Sequence, residues 1–210
     1  RLSILEILES YLVRRVLTKL TSKNYNRFFI QLIGDLSKQE YITAKVFAEK
    51  LLGFTQDTNR FPNDEEFKEA FKHSYLYNKY AREILFIIVL YQLDNDYSDV
   101  RKLSVNSYSV EHMMPKKWRE HWDDGSLTEE QKSDRDWILK RMGNLTLITR
   151  SLNSSLRNQP WSKKKETLAQ YSKLPITTSY LNEEWNEINI KQRAKNLGST
   201  ALKIWKIPSI

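Results

Sequence analysis

Apolar residues recur every three or four positions over the first half of the chain, which is the helical period. Leu2, Leu5, Leu8, Leu12, Val16 and Leu20 fall at that spacing and predict a first helix, with Arg14 and Arg15 near its end. A second helix is expected over 24–36, with Phe28, Phe29, Leu32 and Ile33 on one side. Residues 42–52 predict a third, stopped by Gly53. The polar run 55–63, which contains Pro62, reads as a loop, and Asn63 offers an N-cap to a fourth helix over 64–75 with an acidic first turn. Residues 80–93 predict the most buried helix.

Near residue 107 the period changes to two. Ser107-Tyr-Ser-Val-Glu-His-Met-Met-Pro115 alternates polar with apolar or aromatic residues and predicts a short strand that ends at the proline. Alternation sends Glu111 and His112 to opposite faces. A turn followed by a β-branched run over 142–149 predicts the partner strand, and Leu152 and Leu156, four apart, predict a short helix after it. The insertion 116–141 holds Trp118, His121 and Trp122, an acidic turn at 123–125, and a helix over about 128–141. Nine residues separate His121 from His112, which is unlike a paired zinc spacing, so His121 reads as structural or surface and the two tryptophans as core. Trp161-Ser-Lys-Lys-Lys165 opens a helix to about 172 with Ser162 as its cap. The last helix is expected over 182–204, with Trp185, Ile188, Ala194 and Leu197 inward and Lys191, Arg193 and Lys195 outward. The expected fold is mainly α with a small ββα core, an α+β chain divided into a helical support region, 1–100, and a second domain, 101–210.

Composition narrows the class of protein. With 210 residues, 40% hydrophobic, the chain can bury a core. A net charge of +8 suits a polyanionic partner, although an acidic protein or a membrane surface would also suit it. The only strongly apolar stretch, 84–91, is too short to span a bilayer. The absence of cysteine excludes disulfide frameworks and four-cysteine zinc knuckles and is compatible with a reducing cytoplasm. No signal peptide is visible, and the start at Arg1 inside a helical pattern gives the expectation of a piece of a longer protein.

Val110-Glu-His-Met-Met-Pro115, Gly143-Asn-Leu-Thr-Leu147, Leu152-Asn-Ser-Ser-Leu-Arg-Asn158 and the run Lys163-Lys-Lys165 resemble the HNH (ββα-metal) nucleases. The closer resemblance is to the C-terminal region of GmrSD-type modification-dependent restriction enzymes and the related SspE-type phage-defence proteins. Leu8-Glu-Ser-Tyr-Leu-Val-Arg-Arg15 and Phe61-Pro-Asn-Asp-Glu-Glu-Phe67 extend it more weakly into the first half. The resemblance implies that His112 activates water, that Asn144 orients His112, and that Glu111 and Asn153 hold one divalent cation. An asparagine stands where the final histidine of the HNH pattern often is, which leaves an all-oxygen shell and favours Mg2+ or Mn2+ over zinc. The same order of acidic residue, histidine and two asparagines occurs in the HNH cutting domain of RNA-guided nucleases.

Those residue types suit phosphodiester hydrolysis. A histidine is an unprotonated base at neutral pH, and a hard cation neutralises charge on the scissile phosphate and the leaving oxygen. Lys163, Lys164 and Lys165, with Arg157 and Asn158, are expected to grip the phosphate backbone, because lysines at a helix N-terminus oppose the dipole unless an anion is bound. The expectation is therefore a metal-dependent DNA endonuclease domain that nicks DNA in a prokaryotic, cytoplasmic anti-phage or modification-dependent restriction system. The resemblance also implies a fused N-terminal nucleotide-binding or sensor domain, and a homodimer is compatible with it; no membrane association is expected. The rivals are a non-catalytic nucleic-acid-binding module, which would need no metal, and an RNA-cutting HNH enzyme, separable by offering both substrates.

Overall fold

The structure, a computed structural model, describes residues 2–93 and 103–210, without the side chains of residues 154 and 155. The chain forms two compact units, Arg1–Ala70 with Gly198–Ile210, and Phe71–Leu197.

The first unit contains α1 (Ile4–Leu17), α2 (Tyr25–Leu36), α3 (Ala44–Leu52), most of α4 (Asp64–His73) and the end of α10 (Glu187–Ile204). Ser3 and Glu6 close a reciprocal capping box at α1, Thr43 caps α3, and Asn63 exchanges hydrogen bonds with Glu66 at the start of α4. Tyr11, Phe28, Leu32, Phe47 and Leu51 form its apolar centre. The buried side of α1 is Ile7, Tyr11 and Arg14 rather than the leucine series, and Leu5 is 76% exposed. Arg14 and Arg15 are fully buried. Their guanidinium groups donate to the carbonyls of Trp205, Pro62, Arg60, Thr21 and Asp57, tying together loops that lack a regular partner.

The second unit is organised on an antiparallel hairpin, β1 (Tyr108–His112) with β2 (Leu145–Thr149), in the register Val110↔Leu147. α5 (Asn78–Leu93) covers one face, where the Phe86 and Tyr108 rings lie 5.9 Å apart. α7 (Arg150–Leu156) follows β2 directly and covers the other face, where Asn153 bonds Ser109 at 3.2 Å. With both faces covered, Leu145, Thr146, Leu147 and Ile148 are all buried, so burial along β2 does not alternate. α6 (Glu129–Ile138) lies in the insertion between the strands, and α8 (Trp161–Tyr171) and α9 (Pro175–Thr178) follow α7. Met113, Met114, Trp118, Ile148, Leu156 and Trp161 share one core.

The described residues are thus mainly helical with one small sheet, and the order strand, strand, helix is present. The boundary expected between residues 100 and 101 falls outside the described residues. The observed units divide elsewhere: α5 packs on the hairpin and belongs with it, and the chain from Gly198 onward joins the first unit. Pro160 precedes α8, so Ser162 sits inside the helix and does not cap it. In α10, Ile188 is 77% exposed and Arg193 is fully buried, the reverse of the expected facing. The inward stripe is Ile190, Arg193, Ala194, Leu197 and Ala201, a regular three-and-four spacing that contains a cation. No helix among the described residues is long and apolar enough to cross a membrane.

Candidate active site

His112 ends β1, and the backbone on either side of it is held from several directions. Asn144 is fully buried in the turn before β2. Its amide nitrogen donates to the carbonyls of Met114 and Leu139, at 2.8 and 3.0 Å. Its carbonyl oxygen accepts from the Met114 N–H and from the Trp185 indole, at 2.9 and 3.0 Å. That uses both donors and both lone pairs of the amide. Its own backbone carbonyl accepts from the Met113 N–H at 3.0 Å. Asn144 therefore fixes the chain immediately after His112 and makes no hydrogen bond to the imidazole.

The turn that carries Asn144 is clamped in its own right. Arg193 donates to the carbonyls of Gly143 and Leu145, at 2.8 and 2.7 Å, and to that of Ile176. A Cβ on Gly143 would lie 2.2 Å from the Ile190 carbonyl oxygen, so only glycine lets α10 approach so closely. Complete burial lowers the pKa of Arg193 to about 10, which leaves it charged at neutral pH.

On the other side of the strand, Lys164 is fully buried and its ammonium donates to Glu111 at 2.5 Å and to the His112 carbonyl at 2.8 Å. Lys164 is thus an interior cation whose ammonium does not reach solvent, contrary to the expectation that it grips phosphate. The helical phase explains this: Trp161, Lys164 and Leu168 form the buried stripe of α8. Burial raises the pKa of the Glu111 carboxyl and lowers that of the Lys164 ammonium, against their mutual attraction.

The imidazole of His112 is half-buried and makes no hydrogen bond to any described residue. Burial lowers its pKa to about 4, with the charges of Lys116 and Lys164 acting in the same sense. It is consequently neutral at pH 7, the state that can accept a proton.

Alternation along β1 puts Glu111 on the same face as Ser109, the face covered by α7 and touched by Asn153. The two expected oxygen ligands therefore share one side of the hairpin. Asn153 donates to Ser109 through its nitrogen, and its carbonyl oxygen has no partner among the described residues. No cluster of three or more His, Asp or Glu side chains suited to a metal occurs among the described residues. The donor set fits a hard cation of the magnesium kind, which takes one or two protein oxygens and completes its shell with water and phosphate. Such a cation would share Glu111 with Lys164.

The remaining expected contacts lie on the surface. Lys163 is exposed and pairs with Glu166 at 3.2 Å, Lys165 is half-buried, and Asn158 donates to Glu120 at 3.1 Å. Arg157 is exposed and has a positive φ of 32°. His121 is exposed, and Trp118 is buried with its indole on Asp136, as a core residue should be. Trp185 and Arg193, which position the site without touching the imidazole, were not singled out for it in the sequence, although the spacing of Arg193 from Ile190 and Leu197 marks its inward phase.

Residues 61–200 match the family described as GmrSD restriction endonucleases, C-terminal domain. No curated protein matches the chain significantly. The matched segment covers two thirds of the sequence and includes both strands, α7 and α8, so the chain belongs to the family of the GmrSD restriction endonuclease C-terminal domain.

Proposed function

We propose that the second unit is an HNH-type endonuclease that hydrolyses a DNA phosphodiester in a divalent-metal-dependent reaction and nicks one strand per site. The observation that carries this reading is a neutral, half-buried imidazole at the end of β1 whose neighbouring backbone is fixed by Asn144 and Lys164. A neutral imidazole whose neighbouring backbone is held in one place can take a proton from an attacking water.

Glu111 and Asn153 would hold Mg2+ or Mn2+, which supplies charge neutralisation at the scissile phosphate. Lys164 adds a fixed positive charge to the same face and limits the negative charge that Glu111 presents. Asn144 positions His112 through Met113 and Met114 rather than by contact with the ring. The restriction-related role of the family makes DNA the substrate of choice over RNA.

Incubating supercoiled plasmid with the protein, with and without Mg2+ or Mn2+, tests the reading. The expected result is an open-circular product that requires the metal and is lost in His112→Ala. Binding without any metal-dependent nicking would instead favour a non-catalytic nucleic-acid-binding module, and cleavage of RNA alone would replace the substrate.

A further inference from the structure

A cleft of about 420 Å³ lies beside β1, away from the Lys163–Lys165 run, and is lined by Lys79, Arg82, Ser109, Arg150 and Asn153 among others. Tyr108, Ser109 and Val110 all contribute to it. Three consecutive residues of a strand alternate between its faces, so a wall containing all three is the edge of β1. β1 pairs with β2 alone among the described residues, which makes that edge the outer one of the sheet. α5 contributes Lys79 and Arg82 from one face of the hairpin, and α7 contributes Arg150 and Asn153 from the other.

Among the described residues, the charges in this cleft have no acidic partner. Lys79 and Arg150 are exposed and form no ion pair with a described residue, and no acidic side chain among the described residues lines the cleft. Arg82 Nε is buried with no hydrogen-bond partner among the described residues. Buried guanidinium donors are nearly always paired: elsewhere in this unit Arg135 and Arg193 have their donors on Glu187, Trp122 and backbone carbonyls, and Arg141, whose Nε also lacks a hydrogen bond among the described residues, lies over the Trp137 ring instead. Three cations, one of them with an unpaired buried donor, form a receptor for an oxyanion.

We propose that this cleft binds backbone phosphates of the nucleic-acid strand, with Arg82, Arg150 and Lys79 as the donors, and so sets the path of the strand along the edge of β1. The inference rests on the reading of His112 only for the destination of that path. At about 3.3 Å per residue, His112 lies roughly 7 Å along the strand from Val110, close to a phosphate held in the cleft. The segment that supplies Lys79 also exposes Tyr75, Tyr77 and Tyr80, at 47%, 71% and 44%. Aromatic faces interleaved with cations suit unstacked bases and are superfluous for a free inorganic anion, so the ligand is a nucleic acid.

Fluorescence anisotropy with labelled DNA in EDTA, over a range of salt concentrations, tests the cleft without any cleavage. Lys79→Gln/Arg150→Gln changes two exposed residues and should keep the wild-type melting temperature. It should weaken binding on every DNA sequence alike and flatten the slope of log K against log salt by about 1.8 units on duplex DNA, at about 0.9 per lost phosphate contact. Adding Arg82→Gln should bring the change to about 2.7 units. Wild-type affinity and slope in the folded double variant, or wild-type protein that fails to bind DNA at low salt, would overturn the proposal. The two readings fail separately: loss of binding in the cleft variants, with no metal-dependent nicking by wild type, would leave the cleft standing and remove the nuclease.

Discussion

The end of the hairpin and the cleft beside its first strand share β1 and draw on the same kinds of side chain, yet their polar groups are in opposite states. At the hairpin end, the Asn144 amide makes four hydrogen bonds, Lys164 is placed between Glu111 and a backbone carbonyl, and Arg193 serves several carbonyls. In the cleft, Arg82 keeps an unpaired buried donor, and Lys79 and Arg150 have no acidic partner among the described residues. A buried cation with its partners in place is architecture, because burying it unpaired would cost more than folding can absorb. A cation left without partners beside a concave wall is available to a ligand. Charge alone separates the two poorly, since both places are basic.

That contrast is broken most severely at the site of chemistry. His112→Ala should lower the nicking rate by about 10²–10⁴ while leaving DNA affinity unchanged, because a general base contributes to the rate and not to phosphate binding. A plasmid assay at saturating metal, with anisotropy alongside, measures both, and retained nicking would remove His112 from the mechanism. Next in size, Lys164→Met should cost about 3–5 kcal/mol of folding stability by leaving Glu111 as a buried, unpaired carboxylate. Combined with Glu111→Leu, most of that loss should return, because removing both charges removes the desolvation they require. Urea melts of the two variants decide it; equal instability in the double variant would show that the pair contributes more than it costs.

Asn144→Ala removes a hub instead of a pair. It strands the Met114 N–H and the Trp185 indole N–H in the core, each an unsatisfied donor, and should cost at least about 3 kcal/mol. If the variant melts like wild type, the backbone after His112 is held by Met113 alone, and the positioning role passes to Lys164.

How much of this was legible in the sequence depends on the kind of signal. The strand over 108–112 and the short helix over 150–156 followed from periodicity, and Asn63 followed from capping chemistry, because these are local patterns. The residue order that resembles the HNH pattern led to the family. Lys164 and Arg193 were placed outward because charged side chains usually are, and here the helical phase outranked the charge: both stand in the buried stripe of their helices. The division at residue 100 follows the change of period, whereas α5 joins the second unit through the face of a sheet whose first strand begins fifteen residues after the helix ends. The cleft combines residues 79, 82, 109, 150 and 153, and no local pattern connects them.

The state of the His112 ring can be tested through folding alone. Its pKa is about 4 in the folded protein against about 6.5 when unfolded, so between those values the unfolded chain binds the extra proton. The contribution is therefore complete above pH 6.5 and is lost as the pH falls towards 4, by up to about 3 kcal/mol. The difference in stability between wild type and His112→Gln, measured in EDTA over that window, should change with pH in that sense. A difference independent of pH would mean that the ring is solvated and titrates normally.

The smallest effect is expected from the lysine run, and it sharpens the comparison from the opposite side. Of the three residues, Lys164 is interior, and Lys163 shares its charge with Glu166 in an exposed pair. Lys163→Gln/Lys165→Gln should therefore leave stability within about 0.5 kcal/mol of wild type. With at most two phosphate contacts to lose, it can flatten the salt slope of DNA binding by no more than about 1.8 units, and the pairing of Lys163 should keep the change well below that. The cleft residues Lys79 and Arg150 carry no such partner among the described residues, so their double variant should show the larger change in the same assay. If the lysine variant flattened the slope more than the cleft variant, the DNA would run over α8, and the unpaired donors of the cleft would need a different ligand.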